Sequence, residues 1–321
     1  MRAIVLEETG GPEVLRLSEV PDPVPGPGEV LIDVEARGVN FIDIYQRSGQ
    51  YSVPLPFVPG MEAAGTVAAV GEGVEDLPVG QRVGWAMAPG AYADRAVVKA
   101  ALVVPVPEGV SSEQAAALLL QGMTAHYLVN SVHPVAEGET ILVHAAAGGT
   151  GLLITRLAKE RGARVIGTVS SEEKERISRA AGADEVVRYT EVPVAEAVRD
   201  LTGGAGVAAV YDGVGSDTFD ASLASLRPRG VLALFGQSSG PVAPVDPQRL
   251  NAAGSVYLTR PSLAHFVADR AELLWRAEDL FSLVGKGRLD VRIGGRYPLA
   301  EAGAAQAELA SRRTTGKLVL V

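Results

Sequence analysis

From about residue 121 to 262, short apolar runs alternate with amphipathic runs of helix length. The apolar runs are ILVHA, RVIGTV, EVVRY, AAVYDGV and VLALFG, and the helix-like runs between them are GLLITRLAKERG, EEKERISRAAG, VAEAVRDLTGG and DTFDASLASLRPRG. Several of these segments end in glycine, which is typical of a helix C-terminus. Repeated alternation of this kind predicts a parallel sheet with helices on both faces, the doubly wound Rossmann-type arrangement.

The chain on either side of this region has a different pattern. Residues 1 to about 120 are rich in Val, Gly and Pro, and strand-like segments such as EVLIDVEARGVN are separated by turn signals such as PVPGPGE. This pattern predicts an irregular, mostly β domain. The tail, HFVADRAELLWRAEDLFSLVGKG and the short strands after it, does not continue the alternation and is expected to pack on the first domain. We therefore assign residues 1–120 and 263–321 to one domain and residues 121–262 to another.

The segment GSVYLTR (254–260) follows the last strand–helix alternation and predicts a strand at the edge of the sheet. Val256 and Leu258 alternate with Tyr257, and no lysine or internal proline protects the edge from pairing. Pairing of two such edges about a two-fold axis would satisfy both, so we expect a homodimer formed near Val256 to Leu258. The alternative is an internal strand that is already paired on both sides.

Composition narrows the classes of function. Apolar residues make up 47% of the 321-residue chain, which is enough for a sizeable core. The formal net charge of -9, with no basic stripe, disfavours a nucleic-acid surface. The chain has no Cys, so disulfides, thiolate nucleophiles and cysteine–zinc sites are excluded. With no signal-peptide or membrane-span pattern, a cytoplasmic location is expected.

The first strand–helix turn carries the candidate chemistry. In HAAAGGTG (144–151), Gly148 and Gly151 fill the second and third positions of a G-x-G-x-x-G turn, and Ala146 stands where the first glycine is usual. The second position lets the backbone approach a pyrophosphate, and the third lets the helix pack on the strand. A small-residue turn can also serve packing alone, but its place as the first turn of successive strand–helix units favours dinucleotide binding.

The end of the second strand bears on the choice of cofactor. An acidic residue there would accept hydrogen bonds from a ribose 2′-hydroxyl and favour NAD. This chain has Ser170-Ser171-Glu172-Glu173-Lys174 instead, and a hydroxyl with a nearby cation can hold a 2′-phosphate, so NADPH is favoured. The same residues also fit a capping box of Ser170 with Glu173 and a solvated Lys174, and both interpretations can hold together.

Several motifs together make the chain resemble the zinc-free quinone oxidoreductases of the medium-chain dehydrogenase/reductase superfamily, the group that includes zeta-crystallin. They are GVNFIDIYQRSGQY (38–51), GMEAAGTV (60–67), HAAAGGTG (144–151), YDGVG (211–215), LFGQSSG (234–240), GSVYLTRPSL (254–263) and RRTTGKLVL (312–320). The resemblance covers essentially the whole chain. It implies a GroES-like catalytic and substrate domain for 1–120 with 263–321, a Rossmann NADP(H)-binding domain for 121–262, and a homodimer.

The resemblance also implies that no metal is bound. Zinc-dependent relatives place a Cys where this chain has Asn40 and a His where it has Met61, and they carry a cysteine-rich lobe that is absent here. The four histidines, His126, His133, His144 and His265, show no ligand spacing and are interpreted as core, loop or surface residues. Without a metal to lower the pKa of an alcohol, reduction is favoured over alcohol oxidation.

Site residues follow from the same resemblance. Asn40, Tyr45 and Tyr51 are predicted near the nicotinamide and the substrate, where an amide or phenol can hydrogen-bond a quinone oxygen and a ring can stack on it. Asn40 could instead only tie down a turn, and Tyr51 could be a packing residue. The predicted cofactor contacts are Asn40, Thr124, Ala147, Gly148, Gly149, Thr150, Ser170, Lys174, Tyr189, Val214, Gly215, Phe235, Gly236, Ser238, Leu258 and Arg312. Lys174, Tyr189 and Arg312 match positions that hold the 2′-phosphate in the family, and Arg313 is an alternative to Arg312 there.

The predicted function is the reduction of a small quinone-like substrate by NADPH in the interdomain cleft, as a hydride or as single electrons. A second hypothesis is an NADPH-dependent reductase of conjugated double bonds in enones or alkenals. A third is a non-enzymatic cofactor-binding or RNA-binding protein, which the net charge disfavours. The sequence does not name the physiological substrate.

Overall fold

The computed structural model describes every residue from Met1 to Val321. Its strands are β1 (Arg2–Val5), β2 (Arg16–Glu19), β3 (Glu29–Val39), β4 (Glu62–Val70), β5 (Arg82–Ala86), β6 (Arg95–Lys99), β7 (Val103–Pro105), β8 (Thr140–Val143), β9 (Arg164–Val169), β10 (Glu185–Arg188), β11 (Val207–Asp212), β12 (Leu226–Leu234), β13 (Tyr257–Thr259), β14 (Ile293–Tyr297) and β15 (Lys317–Leu320). Its helices are α1 (Phe41–Arg47), α2 (Ser112–Tyr127), α3 (Gly149–Glu160), α4 (Glu172–Ala180), α5 (Val194–Leu201), α6 (Phe219–Ser225), α7 (Gln248–Ala252), α8 (Leu263–Phe266), α9 (Arg270–Gly285) and α10 (Ala302–Ala310).

The chain forms two compact units. Unit 1 contains Met1–Met123 and Phe266–Val321, and unit 2 contains Thr124–His265. The sequence predicts a substrate-binding role for the domain that corresponds to unit 1 and a cofactor-binding role for the one that corresponds to unit 2. These roles, and the predicted boundaries at 120/121 and 262/263, stay predictions.

Unit 2 is built on a six-stranded sheet in the order β10-β9-β8-β11-β12-β13. Every neighbouring pair in it is parallel, so the parallel sheet predicted from the alternation is confirmed. The central strands β9 and β11 are buried along almost their whole length, as expected where helices cover a parallel sheet. The strand order reverses between β8 and β11, and ligands of open α/β sheets bind at the carboxyl ends of the strands at such a point.

One boundary in unit 2 differs from the sequence prediction. The helix-like pattern DTFDASLASLRPRG predicts a helix to Gly230, whereas α6 ends at Ser225 and β12 begins at Leu226. Pro228 has no N–H for a helical hydrogen bond, and Arg229 has a φ of 59°, outside the helical region. Leu226 pairs instead with Val207 of β11, so the ladder with the neighbouring strand replaces the last helical turn.

The predicted edge strand of unit 2 is confirmed. β13 pairs only with β12, through Val231 to Tyr257 and the two residue pairs that follow, and it ends the sheet. The alternative of an internal strand paired on both sides is therefore wrong. The strand is shorter than the sequence segment: Val256 precedes it, is buried, and donates its N–H to Leu250 O at 3.1 Å.

Unit 1 is mostly β. Its main sheet has the order β14-β15-β3-β4-β5-β7, with β6 also paired to β3, and β1 and β2 form a separate antiparallel pair. The predicted return of the tail is visible in the antiparallel pairing of β15 with β3. Its core includes Trp85, whose indole N–H donates to Ala88 O at 3.1 Å. Across the whole chain, no helix combines the length and apolar character needed to cross a bilayer.

Candidate functional site

The small-residue loop lies where the sequence predicts it, between β8 and α3. Gly148 is the N-cap of α3 with an extended backbone, and no side chain caps the helix. Ala147 is buried at the end of the turn, while Gly149 and Thr150 open the helix with their backbone partly exposed. The first amides of an α-helix have no partner within the helix. This N-terminus therefore presents N–H groups and the positive end of the helix dipole, which suits a phosphate.

The two glycines of the turn have different surroundings. A Cβ built on Gly151 would lie 2.4 Å from Ala145 O and 2.9 Å from Ala146 Cα, so close packing of the helix against the turn requires glycine there. A Cβ on Gly148 would meet only Ala145 O, at 3.2 Å. The protein leaves the space beside Gly148 open, which fits the close approach of a pyrophosphate.

The carboxyl ends of β9 and β10 bring together three residues predicted at the 2′-phosphate. Tyr189 donates its N–H to Val169 O at 3.1 Å, and Thr190 Oγ1 donates to Ser170 O at 3.4 Å, so Tyr189 lies beside Ser170. Lys174 lies in the first turn of α4, and partial burial lowers the pKa of its ammonium group. An anion bound beside a partly desolvated cation would stabilise its charged form, so these residues fit a phosphate.

The capping box of Ser170 with Glu173 that the sequence predicts at this helix is wrong. The N-cap of α4 is Ser171, whose Oγ accepts from Lys174 N at 3.3 Å. The residue three positions after Ser171 is Lys174, so the spacing in the sequence favoured Ser170 with Glu173, whereas the backbone begins the helix one residue later. Ser170 is therefore not used as the cap.

The loops after β11 and β12 are joined by backbone hydrogen bonds and bring together five of the predicted cofactor contacts. Phe235 N donates to Asp212 O at 2.9 Å, and Ser238 N donates to Gly213 O at 3.2 Å. Gly215 has a φ of +95°, and a Cβ there would lie 2.7 Å from Gly240 O, so only glycine fits. Val214 and Gly236 lie in the same pair of loops and are half-buried.

The remaining predicted cofactor contacts are placed separately. Thr124 is buried in α2, and Leu258 is half-buried in β13. Arg312 belongs to unit 1, in the turn after α10, where it has a φ of 58°. Neighbouring Arg313 is exposed, with Nη2 3.6 Å from Glu308 Oε2.

In unit 1, Asn40 is held in a buried charged cluster with Glu62 and Lys317. Asn40 Nδ2 donates to Glu62 Oε2 at 2.9 Å and to Gly38 O at 3.3 Å. Lys317 Nζ donates to Asn40 Oδ1 and to Glu62 Oε2, each at 2.6 Å. The two charged partners fix the orientation of the amide, because the ammonium can face only its oxygen and the carboxylate only its nitrogen.

This geometry limits what Asn40 can offer a ligand. Both of its amide hydrogens are used within the protein, so donation to a quinone oxygen would break one of these bonds. Oδ1 already accepts from Lys317 Nζ, so Asn40 could meet a ligand only as an acceptor. Its direct contact with cofactor or substrate stays a prediction.

A second buried carboxylate, Asp43, lies in the first turn of α1 next to this cluster. It accepts from Asn40 N at 2.8 Å, from Tyr92 Oη at 3.0 Å and from Met61 N at 3.2 Å. Complete burial raises the pKa of Asp43 to about 7, while these donors act in the opposite direction. Asp43 thus fixes the backbone of both Asn40 and Met61, the two positions where zinc-dependent relatives place ligands.

The structure brings Tyr45 and Tyr51 together. Tyr51 N donates to Tyr45 O at 2.9 Å, and the ring centroids are 5.2 Å apart at 61°, an edge-to-face arrangement. Tyr45 is buried, whereas 38% of Tyr51 is exposed. The two rings therefore form one aromatic pair in which Tyr51 is the more exposed member, and their substrate role stays a prediction.

The four histidines lie apart from one another. His126 is buried in α2, His265 is in α8, and His133 Nε2 is 2.9 Å from Glu139 Oε2. His144 is buried in a hydrogen-bonded cluster with Thr168 and Ser222. No group of three or more His, Asp, Glu or Cys side chains is arranged to hold a metal ion.

The sequence reasoning missed two buried polar clusters. One contains Glu62, Lys317 and Asp43 in unit 1, and the other contains Asp212 and Ser222 in unit 2. The available signal was a charged residue within or at the end of an otherwise apolar strand, as in Asp212 after AAVY and Lys317 before LVL.

Comparisons with known proteins agree with this architecture. Residues 26–108 match the family model "Alcohol dehydrogenase GroES-like domain", and residues 149–270 match "Zinc-binding dehydrogenase". A Pseudomonas aeruginosa protein named quinone oxidoreductase is 46% identical over 97% of each chain. A Burkholderia protein named 2-haloacrylate reductase is 41% identical over 99% of this chain and 98% of its own. A mycobacterial protein solved in complex with NADPH is 57% identical over the full length of both chains, with a TM-score of 0.98.

Proposed function

Because the chain belongs to the quinone oxidoreductases of the medium-chain dehydrogenase/reductase superfamily, we propose that it is an NADPH-dependent quinone reductase. The observation that carries the proposal is the turn between β8 and α3. In this turn, the uncapped N-terminus of α3 lies beside the open space at Gly148. The turn is at the point where the strand order of the parallel sheet reverses. This is the arrangement that a dinucleotide pyrophosphate needs.

Unit 2 contributes most of the proposed contacts to NADPH. Ala147, Gly148, Gly149 and Thr150 would hold the pyrophosphate, and Ser170, Lys174 and Tyr189 would hold the 2′-phosphate. The hydrogen-bonded loops of Val214, Gly215, Phe235, Gly236 and Ser238 would line the nicotinamide end, with Thr124 and Leu258 as further contacts and Arg312 or Arg313 at the 2′-phosphate. When bound, NADPH supplies a hydride, and the reduction of a quinone to a hydroquinone also takes up one proton.

In unit 1, the proposed substrate residues are Tyr45 and Tyr51, with Asn40 nearby. The partly exposed Tyr51 could stack on a flat ring, and a phenol hydroxyl can donate to a quinone oxygen without a metal. Asn40 would act as an acceptor, because Glu62 and Gly38 take both of its amide hydrogens.

We propose that the reaction needs no zinc. The positions that carry Cys and His in zinc-dependent relatives are Asn40 and Met61, an amide and a thioether, and neither is a usual zinc ligand. The Lys317 ammonium group donates to Asn40 Oδ1 and Glu62 Oε2. These nearby oxygens therefore already interact with a cation. A quinone suits this site because its carbonyls are electrophilic without polarisation by a metal.

Lys174→Ala is expected to reduce the preference for NADPH over NADH. Loss of a charge-assisted bond to the 2′-phosphate should raise the KM for NADPH about tenfold and leave the KM for NADH nearly unchanged. Steady-state kinetics with both cofactors make the measurement. Arg176→Ala, an exposed cation two residues further along α4, is the matched control and should change neither KM. Equal effects of Lys174→Ala on both cofactors would remove Lys174 from the phosphate site.

A second candidate function is the reduction of conjugated carbon–carbon double bonds. The 41%-identical Burkholderia relative is named 2-haloacrylate reductase, and a haloacrylate contains a conjugated carbon–carbon double bond. The two functions are separated by kcat/KM values for 1,4-naphthoquinone and for a 2-alkenal, measured with NADPH on one preparation. The proposal expects the quinone to be the better substrate. A higher value for the alkenal would replace the proposed function with the second candidate.

We also propose that the chain forms a homodimer through β13. This strand ends the sheet, so its outer N–H and C=O groups have no neighbouring strand in one chain. Tyr257 is 61% exposed on this edge, and a second copy about a two-fold axis would both pair the strand and cover the ring. The cytoplasmic location likewise stays a prediction.

Tyr257→Lys is expected to convert the dimer to a monomer. Two lysines brought together near the axis repel each other, and a lysine on an edge strand opposes pairing. Size-exclusion chromatography with light scattering at micromolar concentration should give about twice the 33.3 kDa chain mass for the parent and the single mass for the variant. Val79→Lys, at a 63% exposed loop position, should remain a dimer. A parent protein of single mass, or a Tyr257→Lys dimer, would refute this interface.

A further inference from the structure

A buried group of polar side chains in unit 2 has no role in the function described so far. It consists of His144 after β8, Thr168 near the end of β9, Asp212 at the end of β11, and Thr218 and Ser222 at the start of and within α6. All are buried except Thr218, which is half-buried. Polar groups removed from water are stable only when they are hydrogen-bonded, so the direction of each bond in this group can be worked out.

Asp212 accepts every one of its hydrogen bonds. Oδ1 receives Val214 N at 2.8 Å and Gly215 N at 3.1 Å. Oδ2 receives Ser222 Oγ and Thr218 Oγ1, each at 2.7 Å. Four donors converge on the group, so Asp212 is a carboxylate.

The remaining bonds then have only one consistent direction. Ser222 gives its single hydrogen to Asp212, so its oxygen must accept from His144 Nε2–H, at 3.0 Å. Burial lowers the pKa of His144, which keeps the imidazole neutral and leaves a lone pair on Nδ1. Nδ1 accepts from Thr168 Oγ1 at 3.0 Å. The hydrogen bonds therefore form a series in which Thr168 donates to His144, His144 donates to Ser222, and Ser222 donates to Asp212.

This series of hydrogen bonds ends at the loop that is proposed to line the nicotinamide end of NADPH. The Asp212 carboxylate that accepts the hydrogen bond from Ser222 Oγ also fixes the amides of Val214 and Gly215, and Asp212 O accepts from Phe235 N at 2.9 Å. The same hydrogen bonds, through His144 and Thr168, also join the ends of β8 and β9, which precede Ala147–Thr150 and Ser170. Three loops with proposed cofactor contacts thus share one set of hydrogen bonds.

We infer that His144 and Ser222 are positioning residues, which act through Asp212 to hold the Val214–Gly215 loop in the shape that binds NADPH. The inference rests on the proposed function for its ligand. It requires that His144 is the neutral tautomer with hydrogen on Nε2, and that loss of the Ser222 hydroxyl weakens NADPH binding without affecting the substrate.

The first test is nitrogen NMR of the histidine side chains in the full-length parent protein at neutral pH. His144→Gln identifies the His144 signals among those of the four histidines. The expected pattern is a protonated Nε2 and an unprotonated Nδ1. A hydrogen on Nδ1 at neutral pH, in the other neutral tautomer or in the cation, would overturn the inference, whatever the protein binds.

The second test compares two buried serines of α6. Ser222→Ala is expected to raise the KM and Kd for NADPH about tenfold, as for the loss of one buried hydrogen bond, with the KM for 1,4-naphthoquinone unchanged. Ser222→Thr, which keeps the hydroxyl, should recover most of the affinity. Ser225→Ala is the control, because Ser225 Oγ donates at 2.7 Å only to Ala221 O within the helix. Equal NADPH affinities for Ser222→Ala and Ser225→Ala would refute the positioning role.

A further pair of variants decides the case if Ser222→Ala does not fold. Gln at position 144 places its amide nitrogen near the site of Nε2, and Asn places it near Nδ1. The inference expects a larger rise in the Kd for NADPH from His144→Asn than from His144→Gln, and the reverse order would overturn it. These variants test only the positioning role. If the proposed function itself were wrong, the parent protein would bind no NADPH, and the two failures can therefore be distinguished.

Discussion

Gly148→Val should abolish NADPH binding in a chain that still folds. The backbone at Gly148 is extended, with φ -77° and ψ 164°, a conformation that valine adopts readily. Its Cβ would meet only Ala145 O, at 3.2 Å, so the turn can accept the side chain with a small adjustment. The branched side chain would fill the space that the pyrophosphate needs and displace it from the amides of α3. Loss of two charge-assisted bonds corresponds to a Kd for NADPH at least about 100-fold higher.

Isothermal titration with NADPH makes the measurement, and circular dichroism checks the fold. Gly151→Val is the contrasting variant: its Cβ would lie 2.4 Å from a backbone oxygen, so it should lower stability as well as binding. A folded Gly148→Val protein with the parent affinity would show that this loop does not hold the cofactor.

Glu62→Gln should destabilise unit 1 by about 3–5 kcal/mol, because it leaves the buried Lys317 ammonium without its carboxylate. Glu62 is fully buried, and it also accepts Leu120 N at 2.6 Å. Of the two oxygens that Lys317 Nζ contacts, Asn40 Oδ1 and Glu62 Oε2, only the second carries a charge, and the variant removes that charge. Both tryptophans, Trp85 and Trp275, lie in unit 1, so tryptophan fluorescence during denaturant unfolding follows this unit.

Two controls test the origin of this effect. Glu113→Gln removes an exposed ion pair with Arg296 in the same unit and should cost less than about 1 kcal/mol. The double variant Glu62→Gln with Lys317→Met removes both charges and should recover much of the lost free energy of unfolding. A loss for Glu62→Gln no larger than for Glu113→Gln would contradict the account of this cluster.

Local patterns predicted much of unit 2. The strand and helix periods predicted the alternation, and Gly148 and Gly151 marked the turn, because both features depend on residues close together in the chain. The edge position of β13 followed from its place after the last alternation. Errors arose where two local solutions compete, as between Ser170 and Ser171 for the cap, or where a neighbouring strand replaces a helical turn at Leu226.

The polar clusters could not be predicted because their members are far apart in the chain. Lys317 lies 255 residues from Glu62, and Ser222 lies 78 residues from His144. No spacing rule links such residues, and only the folded strands bring them together. The same limit applies to Asn40: resemblance placed it near the substrate, but the structure was needed to show that its amide hydrogens are already used.

The most direct test of the central claim is NADPH oxidation by the purified, EDTA-treated chain on addition of 1,4-naphthoquinone, followed by the absorbance of the reduced nicotinamide. The Gly148→Val protein serves as the blank, since it should retain the substrate residues but not the cofactor. The account predicts turnover with NADPH that exceeds turnover with NADH and persists after EDTA. No consumption of NADPH above the blank would contradict quinone reduction at this site, and a loss of activity in EDTA that zinc restores would contradict the metal-free mechanism.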